Sequence, residues 1–254
     1  MTPLQALILG MIQGLTEFFP VSSSAHLQLA RSFLGITGKE EFLYFDLLCH
    51  MGTLFALLLF LRKEIRSLLC DAKAIALLFL GLLPLIPVYF LLKPYKSIYS
   101  DPAYLGFFLL ITSCFLFAAS FVKKKTPPSK KWKSALWIGS VQTFALLPGI
   151  SRSGSTIAAA RFLGWDWLSA AKFSFLLAIP AILGGELLES IKLITNPISP
   201  SISFSCYCVA FLASFCFGTI GVRFVFWVYE KGRVLPFAWY CAVLGIFVML
   251  RTWQ

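Results

Sequence analysis

Six long apolar stretches, separated by short polar or basic connections, constrain the fold of this chain more than any other feature of its sequence. A helix needs roughly 20 apolar residues to cross the hydrocarbon core of a bilayer, and each stretch approaches or reaches that length. A soluble globule of 254 residues that are 59% hydrophobic and only 13% charged would expose large apolar surfaces. The sequence therefore predicts an all-α integral membrane protein. Its six transmembrane helices are expected near residues 42–61, 74–92, 104–122, 168–191, 203–222 and 236–250.

Two further apolar segments, residues 4–19 and 135–147, are too short to cross the membrane comfortably, and each runs into proline and a cluster of serines or glycines. We predict that both are re-entrant helical hairpins that turn back inside the membrane. In each segment a glycine stands three residues before a glutamine, and that glutamine stands nine residues before the first serine of a hydroxyl cluster. The offset of 129 residues between the two segments is about half of the chain, which indicates a duplicated unit.

Lysine and arginine are concentrated in two connections, residues 62–73 after the first predicted span and residues 123–133 after the third. By the positive-inside rule these connections are cytoplasmic, which places loops 38–41 and 93–102 on the outer side. Because each half holds three spans, the second half enters the membrane from the opposite face. We therefore predict an inverted-topology internal repeat with both hairpin tips near the midplane. The predicted units are the first repeat at 1–122, a basic cytoplasmic linker at 123–134 and the second repeat at 135–254.

Charge and cysteine content exclude several other classes of protein. The net charge of +11 is explained by cytoplasmic lysines facing anionic lipid headgroups, so membrane lipids and no nucleic acid are the expected partners. The seven cysteines are scattered and odd in number, which favours small apolar roles over disulfides or a zinc site. The first apolar segment has no basic leader and contains Glu17, so no cleavable signal peptide is predicted.

The tip of the first hairpin is rich in polar side chains. They are Gln13, Glu17, Ser22, Ser23, Ser24 and His26. Gln13 and Glu17 share one helical face, and the three serines are expected to cap a second short helix whose free N–H groups form an anion site. His26 lies in the first turn of that helix, where it can take or give a proton. Placing a carboxylate in an apolar segment costs about 2.5 to 3.5 kcal/mol on insertion scales, so Glu17 is predicted to be functional.

The tip of the second hairpin, residues 148–155, combines glycines, three serines and one arginine. Successive N–H groups in such a turn form a nest for phosphate oxygens, and Arg152 can clamp a phosphate with its fork of donors. The alternative is that Arg152 pairs with Glu17 only to hold the repeats together. His50 lies on an apolar stripe and is interpreted as a packing or lining residue. The expected diphosphate-binding residues of the two tips are Ser22, Ser24, Gly149, Ser151, Ser153 and Gly154.

Residues 13–26 (QGLTEFFPVSSSAH) and 148–154 (PGISRSG) resemble the two signature motifs of the undecaprenyl-diphosphate phosphatases of the bacitracin-resistance type. The resemblance covers essentially the whole chain, including its length and the segment 173–180 (FSFLLAIP). It implies a multi-pass enzyme of the bacterial cytoplasmic membrane that removes the terminal phosphate of undecaprenyl diphosphate with a divalent cation. It also implies recycling of the lipid carrier for peptidoglycan synthesis, bacitracin resistance and a pocket on the periplasmic side, and it is compatible with a homodimer.

Position by position, the resemblance implies that the catalytic residues are Glu17, Ser23, His26 and Arg152. Gln13 falls where family members carry either Glu or Gln, so Mg²⁺ or Ca²⁺ would be held by Glu17 and Gln13 with one carboxylate fewer than in the Glu-bearing members. Ala25 replaces the glycine that is usual before the histidine, and it restricts the backbone at the tip. The attacking group is either Ser23, with His26 as its base, or a water activated by Glu17 or His26.

Two other interpretations of the motifs lead to different expectations. The acid-phosphatase-like lipid phosphatases carry similar Ser-Gly-His and Ser-Arg elements, but they need a further histidine after the Ser-Arg element. No histidine follows His50, so this class is excluded. A polyprenyl-phosphate lipid flippase or transporter is the alternative from a different class, because inverted repeats with tips at the midplane are typical of transporters. Release of inorganic phosphate by the purified protein distinguishes the two.

Overall fold

Helices are the only regular elements in the part of the chain that the structure describes, a computed structural model covering residues 1–36, 42–123, 131–195 and 202–252. The helices are α1 (Pro3–Thr16), α2 (Ser23–Phe33), α3 (Leu43–Phe60), α4 (Arg62–Leu69), α5 (Ala72–Leu82), α6 (Leu85–Leu92), α7 (Lys96–Tyr99), α8 (Pro102–Phe121), α9 (Trp132–Gln142), α10 (Arg152–Phe162), α11 (Trp167–Thr195), α12 (Phe204–Glu230) and α13 (Leu235–Thr252). The predicted all-α class is confirmed.

Within the described ranges, five helical stretches are long and apolar enough to cross a membrane, which identifies a multi-pass membrane protein. They are Leu43–Phe60, Ala72–Tyr99, Pro102–Phe121, Trp167–Thr195 and Phe204–Glu230. The sixth predicted span corresponds to α13, whose apolar part, Leu235–Arg251, is shorter than these five stretches.

The second predicted span is two helices instead of one. The sequence predicts a continuous span over residues 74–92, but α5 ends at Leu82 and α6 begins at Leu85, with Pro84 between them. Proline lacks the N–H that would continue the helical hydrogen bonds, and its ring disfavours a helical conformation in the residue before it. The helical hydrogen bonding is therefore interrupted at Leu83 and Pro84, although both residues keep helical backbone angles and Ala72–Tyr99 remains one candidate span.

Both predicted re-entrant segments are short helices that end at a polar turn. α1 ends at Thr16, and the chain turns before α2 begins at Ser23. α9 ends at Gln142, and a 3-10 turn and an irregular stretch lead to the start of α10 at Arg152. With 14 and 11 residues, α1 and α9 cover roughly 21 and 17 Å, which is too short to cross the bilayer core.

Close helix packing joins the two halves of the chain. An added Cβ at Gly10 of α1 would lie 2.7 Å from the carbonyl oxygen of Ala210 in α12, and a Cβ at Gly139 of α9 would clash with the carbonyl oxygen of Gly81 in α5. Small residues of this kind allow membrane helices to approach closely. The first helix of each half therefore packs on a helix of the other half, α1 on α12 and α9 on α5.

In an inverted repeat, the first helix of each half is expected to pack on a helix of the other half, as α1 and α9 do here. The repeat and its division at residues 1–122, 123–134 and 135–254 stay predictions. Residues 124–130 of the basic linker and residues 38–41 of the predicted outer loop lie outside the described residues.

Candidate active site

The two hairpin tips meet at a cavity of about 250 Å³, which we call the polar cavity. The turn between α1 and α2 forms one wall, the start of α10 forms another, and α3 and α11 complete it. Its polar and charged lining residues are Thr16, Glu17, Ser22, Ser23, Ser24, His50, Gln142, Ser151, Arg152, Ser153 and Glu186. Charged, hydroxyl and amide groups from both halves of the chain therefore converge inside an otherwise apolar helical protein.

Glu17 is the central carboxylate of the polar cavity. Its Oε1 pairs with Arg152 Nη2 at 2.7 Å, and its Oε2 accepts hydrogen bonds from Ser23 Oγ at 2.7 Å and Gln13 Nε2 at 3.0 Å. Only 8% of the Glu17 side chain is exposed. Arg152 also donates from Nη1 to the carbonyl oxygen of Ala178 in α11 at 3.3 Å. The ion pair therefore holds a serine hydroxyl of the first tip beside the guanidinium of the second.

A strained turn that is held by a histidine shapes the first tip. Ser22 has a φ of +69°, the only positive φ of a non-glycine residue in the described ranges. His26 Nδ1 lies 2.8 Å from the Ser22 carbonyl oxygen, and its Nε2 lies 2.7 Å from the Tyr240 hydroxyl of α13. Because a carbonyl oxygen can only accept, Nδ1 carries the proton and Nε2 accepts from Tyr240. Such a backbone persists only where its neighbours hold it, and His26 supplies that support.

The start of α10 has the features of an anion site. Ser151 is the residue that caps the helix, and its hydroxyl accepts a hydrogen bond from the Gly154 N–H at 3.1 Å. The N–H groups of Arg152 and Ser153 have no hydrogen-bond partner among the described residues. Free N–H groups at a helix start, together with the helix dipole, attract anions such as phosphate. The second tip therefore offers backbone donors and a guanidinium to the same cavity.

The family model described as bacitracin resistance protein BacA matches residues 6–247 of this chain. The chain belongs to this family. It is 43% identical over 249 residues to an undecaprenyl-diphosphatase of Protochlamydia amoebophila, and the match covers 97% of both chains. Proteins of the same name from Bacteroides fragilis and Desulforapulum autotrophicum are 37% identical over 254 residues and 36% identical over 272 residues, and each match covers 95% of both chains. The resemblance drawn from the two motifs is confirmed.

The structure brings most of the predicted BacA-family site residues to the polar cavity, although the predicted serine cap of α2 does not form. The residues that line it are Glu17, Ser22, Ser23, Ser24, Ser151, Arg152 and Ser153. The Ser22 side chain makes no capping hydrogen bond at α2, and its Oγ lies 3.1 Å from Ser24 Oγ instead. The φ of +69° at Ser22 differs from the extended conformation of a capping residue, which explains the difference.

His26 is the predicted catalytic residue that the polar cavity does not include. Its two ring nitrogens contact Ser22 and Tyr240, and neither contacts Ser23 in the described part of the chain. The Ser23 hydroxyl faces Glu17 instead. The predicted pairing of His26 as base with Ser23 therefore has no supporting contact in this conformation.

The two predicted phosphate-binding glycines shape the second tip and do not line the polar cavity. Gly149 has a φ of +108°, and an added Cβ would lie 2.7 Å from Phe108 Cβ of α8. Thr112 of α8 fixes this turn, because its Oγ1 donates to the Gly149 carbonyl oxygen at 2.9 Å and accepts from the Ser151 N–H at 2.9 Å. At Gly154, an added Cβ would lie 3.1 Å from Ser151 Cβ. Both glycines therefore allow close packing around the start of α10.

Ala25, which stands in place of the usual family glycine, is accommodated without a positive φ. It lies in the first turn of α2 and is fully buried. Its methyl group belongs to a small apolar cluster with Leu105 and Leu109 of α8 and Val248 of α13. The backbone restriction expected from this alanine is therefore compatible with the helical conformation found there.

His50 and Glu186 are cavity residues that the sequence did not assign to the site. His50 was interpreted as packing or lining, and it does line the cavity, with Nδ1 2.9 Å from Glu186 Oε1. Glu186 lies within the predicted span 168–191, and a carboxylate inside an apolar span is a signal that could have identified it. Gln142 also lines the cavity, and both polar atoms of its amide are buried without a partner among the described residues.

The donor set around Glu17 fits a divalent cation that arrives with a phosphate ligand. Among the described residues, no group of three or more His, Cys, Asp or Glu side chains could hold an ion by itself. Gln13 Oε1 is buried without a hydrogen-bond partner, one helical turn from Glu17. Mg²⁺ is commonly bound by one or two carboxylates together with water and substrate phosphates. The residues present would therefore supply part of the coordination shell, and phosphate oxygens and water the rest.

Proposed function

We propose that this chain hydrolyses undecaprenyl diphosphate to undecaprenyl phosphate and inorganic phosphate, and so recycles the lipid carrier used in peptidoglycan synthesis and confers bacitracin resistance. The relatives named undecaprenyl-diphosphatase support this assignment, because they align over nearly the full chain. The observation that carries it is the contact of Ser23 and Arg152 with the two oxygens of Glu17. A hydroxyl, a guanidinium and free backbone N–H groups then share one cavity, which is the arrangement that phosphoryl transfer needs.

The terminal phosphate of the substrate is assigned to the start of α10. The Arg152 guanidinium has five N–H donors, and its contacts with Glu17 and Ala178 leave others for phosphate oxygens. The backbone N–H groups of Arg152 and Ser153 point to the same anion site. These donors balance the negative charge that develops on the phosphoryl oxygens in the transition state.

Ser23 is the proposed nucleophile. Its hydroxyl hydrogen is directed to Glu17 Oε2, so the lone pairs of its oxygen are free to face phosphorus. As the bond between Ser23 Oγ and the terminal phosphorus forms, the bond from that phosphorus to the bridging oxygen breaks, and undecaprenyl phosphate leaves. The Glu17 carboxylate is the nearest acceptor for the hydroxyl proton. Water then hydrolyses the phosphoserine. His26 acts through Ser22, because it holds the turn that presents Ser23.

A divalent cation, Mg²⁺ or Ca²⁺, is proposed to bind at Glu17 and Gln13 together with the diphosphate. When bound, it would add positive charge beside the phosphate oxygens. The buried, unpartnered Gln13 Oε1 supports this assignment, because a hard cation prefers oxygen ligands.

The bacterial cytoplasmic (inner) membrane is the proposed location, with the polar cavity open to the periplasmic side. The basic connections at residues 62–73 and 123–133 support this orientation. A cysteine introduced into loop 93–102 should then react with a membrane-impermeant thiol reagent added outside the cell. If the cysteine reacted only with reagent on the cytoplasmic side, the orientation of the protein would be the reverse of the one proposed. A homodimer stays a prediction.

The role of Ser23 can be tested by trapping the phosphoenzyme. Substrate labelled in its terminal phosphate is mixed with excess purified protein and quenched in acid within one turnover. We expect label on wild-type protein at Ser23 and none on Ser23→Ala, because the bond from serine oxygen to phosphorus survives acid. The contrary result has two parts: label appears only in free phosphate at every time point, and Ser23→Ala keeps more than a tenth of the wild-type rate. That result would show that water, and not Ser23, is the nucleophile.

A further inference from the structure

We propose that His50, oriented by Glu186, binds the phosphate that carries the prenyl chain, and that the apolar groove beside it holds the first isoprene units of that chain. The inference rests on the proposed function, since it places the second phosphate of the same substrate. It concerns α3 and α11, which complete the wall of the polar cavity.

The pair of His50 and Glu186 is a polar contact between two membrane helices. His50 Nδ1 lies 2.9 Å from Glu186 Oε1, and the side chains are 34% and 14% exposed. His50 Nε2 has no hydrogen-bond partner among the described residues. Ionisable residues at membrane depth are costly and mark substrate pathways more often than packing. A carboxylate on one ring nitrogen fixes the orientation of the ring and leaves the other nitrogen for a ligand.

An apolar groove of about 510 Å³ continues from the polar cavity between α3, α5, α6 and α11. Its wall is mainly apolar and includes Leu82, Ile86 and Phe90, and the polar residues Asp46, Tyr89 and Glu189 also line it. The residues that line both the polar cavity and the groove are His50, Leu85, Leu146, Ala181, Gly185 and Glu186. His50 and Glu186 are therefore the polar side chains at the junction of the two spaces.

The order in which the substrate's terminal phosphate, second phosphate and prenyl chain are joined indicates where each part lies in the polar cavity and the groove. A polar cavity of about 250 Å³ has room for a diphosphate but not for a long prenyl chain, because pockets for drug-sized ligands are typically about 300 to 1,000 Å³. The terminal phosphate is at Arg152, and the chain must leave through an apolar opening. The other phosphate joins these two parts, so it lies at the junction, beside His50. A protonated imidazole donates from both nitrogens, to Glu186 through Nδ1 and to the phosphate through Nε2.

Two adjacent glycines keep the groove open. Gly184 and Gly185 lie inside α11, where glycine is less favourable than alanine. An added Cβ at either position would meet no atom within 4 Å. Helix packing therefore does not require these glycines, whereas a chain lying along α11 would use the space that side chains would fill.

The test uses farnesyl phosphate, which carries the prenyl-bearing phosphate but no terminal one, and inorganic phosphate, which resembles the terminal one. Direct binding of each to the purified protein is measured for wild type, His50→Ala, His50→Gln and Glu186→Gln. We expect His50→Ala and Glu186→Gln to weaken farnesyl phosphate binding about tenfold, equal to about 1.4 kcal/mol, and phosphate binding less than twofold. His50→Gln should recover part of the loss, since its amide can donate to the phosphate.

Glu64→Gln is the matched control, because Glu64 also forms an ion pair with α11, through Lys172 at 3.1 Å, but does not line either space. It should leave the binding of both ligands within twofold. Equal binding of farnesyl phosphate by wild type and by folded His50→Ala and His50→Gln would overturn the inference, even if the wild type hydrolyses undecaprenyl diphosphate. If the wild-type protein did not hydrolyse undecaprenyl diphosphate, only the proposed function would be overturned. The inference about His50 would still be tested, because ligand binding is measured independently of activity.

Gly184→Leu tests the groove separately, since Gly184 lines the groove but not the polar cavity and the leucine side chain would enter the open space along α11. We expect KM for undecaprenyl diphosphate to rise at least about tenfold, with kcat changed less, because the substitution narrows the space for the chain but leaves Ser23 and Arg152 in place. An unchanged KM would contradict the inference that the prenyl chain lies in this groove.

Discussion

Replacing Glu17 by Gln is expected to lower kcat/KM for undecaprenyl diphosphate by about a thousandfold, which corresponds to about 4.1 kcal/mol of transition-state stabilisation. The carboxylate holds the Ser23 hydroxyl, one Arg152 nitrogen and the Gln13 amide, all within 3.0 Å. A neutral amide cannot accept all of these hydrogen bonds, and it leaves the buried guanidinium without its counter-ion. Steady-state phosphate release by detergent-purified protein measures the effect.

Glu64→Gln is again the matched control, because it removes a carboxylate from another ion pair that lies outside the polar cavity. We expect its kcat/KM to stay within twofold of wild type. If Glu17→Gln kept more than a tenth of wild-type kcat/KM, Glu17 would not be the centre of the site.

Replacing Arg152 by Gln or by Lys is expected to lower kcat/KM by at least about a hundredfold, or about 2.7 kcal/mol. Arg152 contacts Glu17 and the Ala178 carbonyl oxygen at the same time, and its remaining donors are assigned to phosphate. Lysine keeps the charge, but its compact ammonium cannot reproduce the fork of a guanidinium. Lys172→Gln, which replaces a cation of α11 outside the polar cavity, should stay within twofold of wild type. If the activity of Arg152→Lys were within a few fold of wild type, a positive charge at position 152 would suffice and the guanidinium fork would not be required.

The double variant Glu17→Gln/Arg152→Gln separates catalysis from the alternative in which the pair only joins the two tips. Each single variant leaves one buried charge without its partner, which destabilises the fold, whereas the double variant leaves none. We expect the double variant to unfold at a higher temperature than either single variant and to remain as inactive as they are. Recovery of activity together with stability would favour the structural alternative.

The sequence predicted the helices and the tips well where the signals are local. Helix length and the proline and serine clusters are read from neighbouring residues, and for this reason both short hairpin segments could be placed. Pro84 is also a local signal for the end of a helix. The apolar run from 74 to 92 nevertheless led to the prediction of one continuous span, so the interruption between α5 and α6 was missed. The apolar content of α13 was also clear, whereas its apolar part, Leu235–Arg251, is shorter than the other spans.

Contacts between distant parts of the chain were harder to predict. The pairing of Glu17 with Arg152 was considered, because two opposite charges at membrane depth need each other. The contact between His50 and Glu186 depends on which faces of α3 and α11 turn toward the cavity, and an apolar span does not reveal this. His26 was assigned to Ser23 from its position in the motif, but the packing of α2 on α13 directs its ring to Tyr240.

The central claim is tested most directly by phosphate release from undecaprenyl diphosphate by the purified wild-type protein, with and without EDTA. We expect steady release of inorganic phosphate, its loss on addition of EDTA and its recovery when Mg²⁺ or Ca²⁺ is restored. A folded wild-type protein that binds the lipid but releases no phosphate with either ion would contradict the assignment as a phosphatase, and it would favour the transport of polyprenyl phosphates by the same helices.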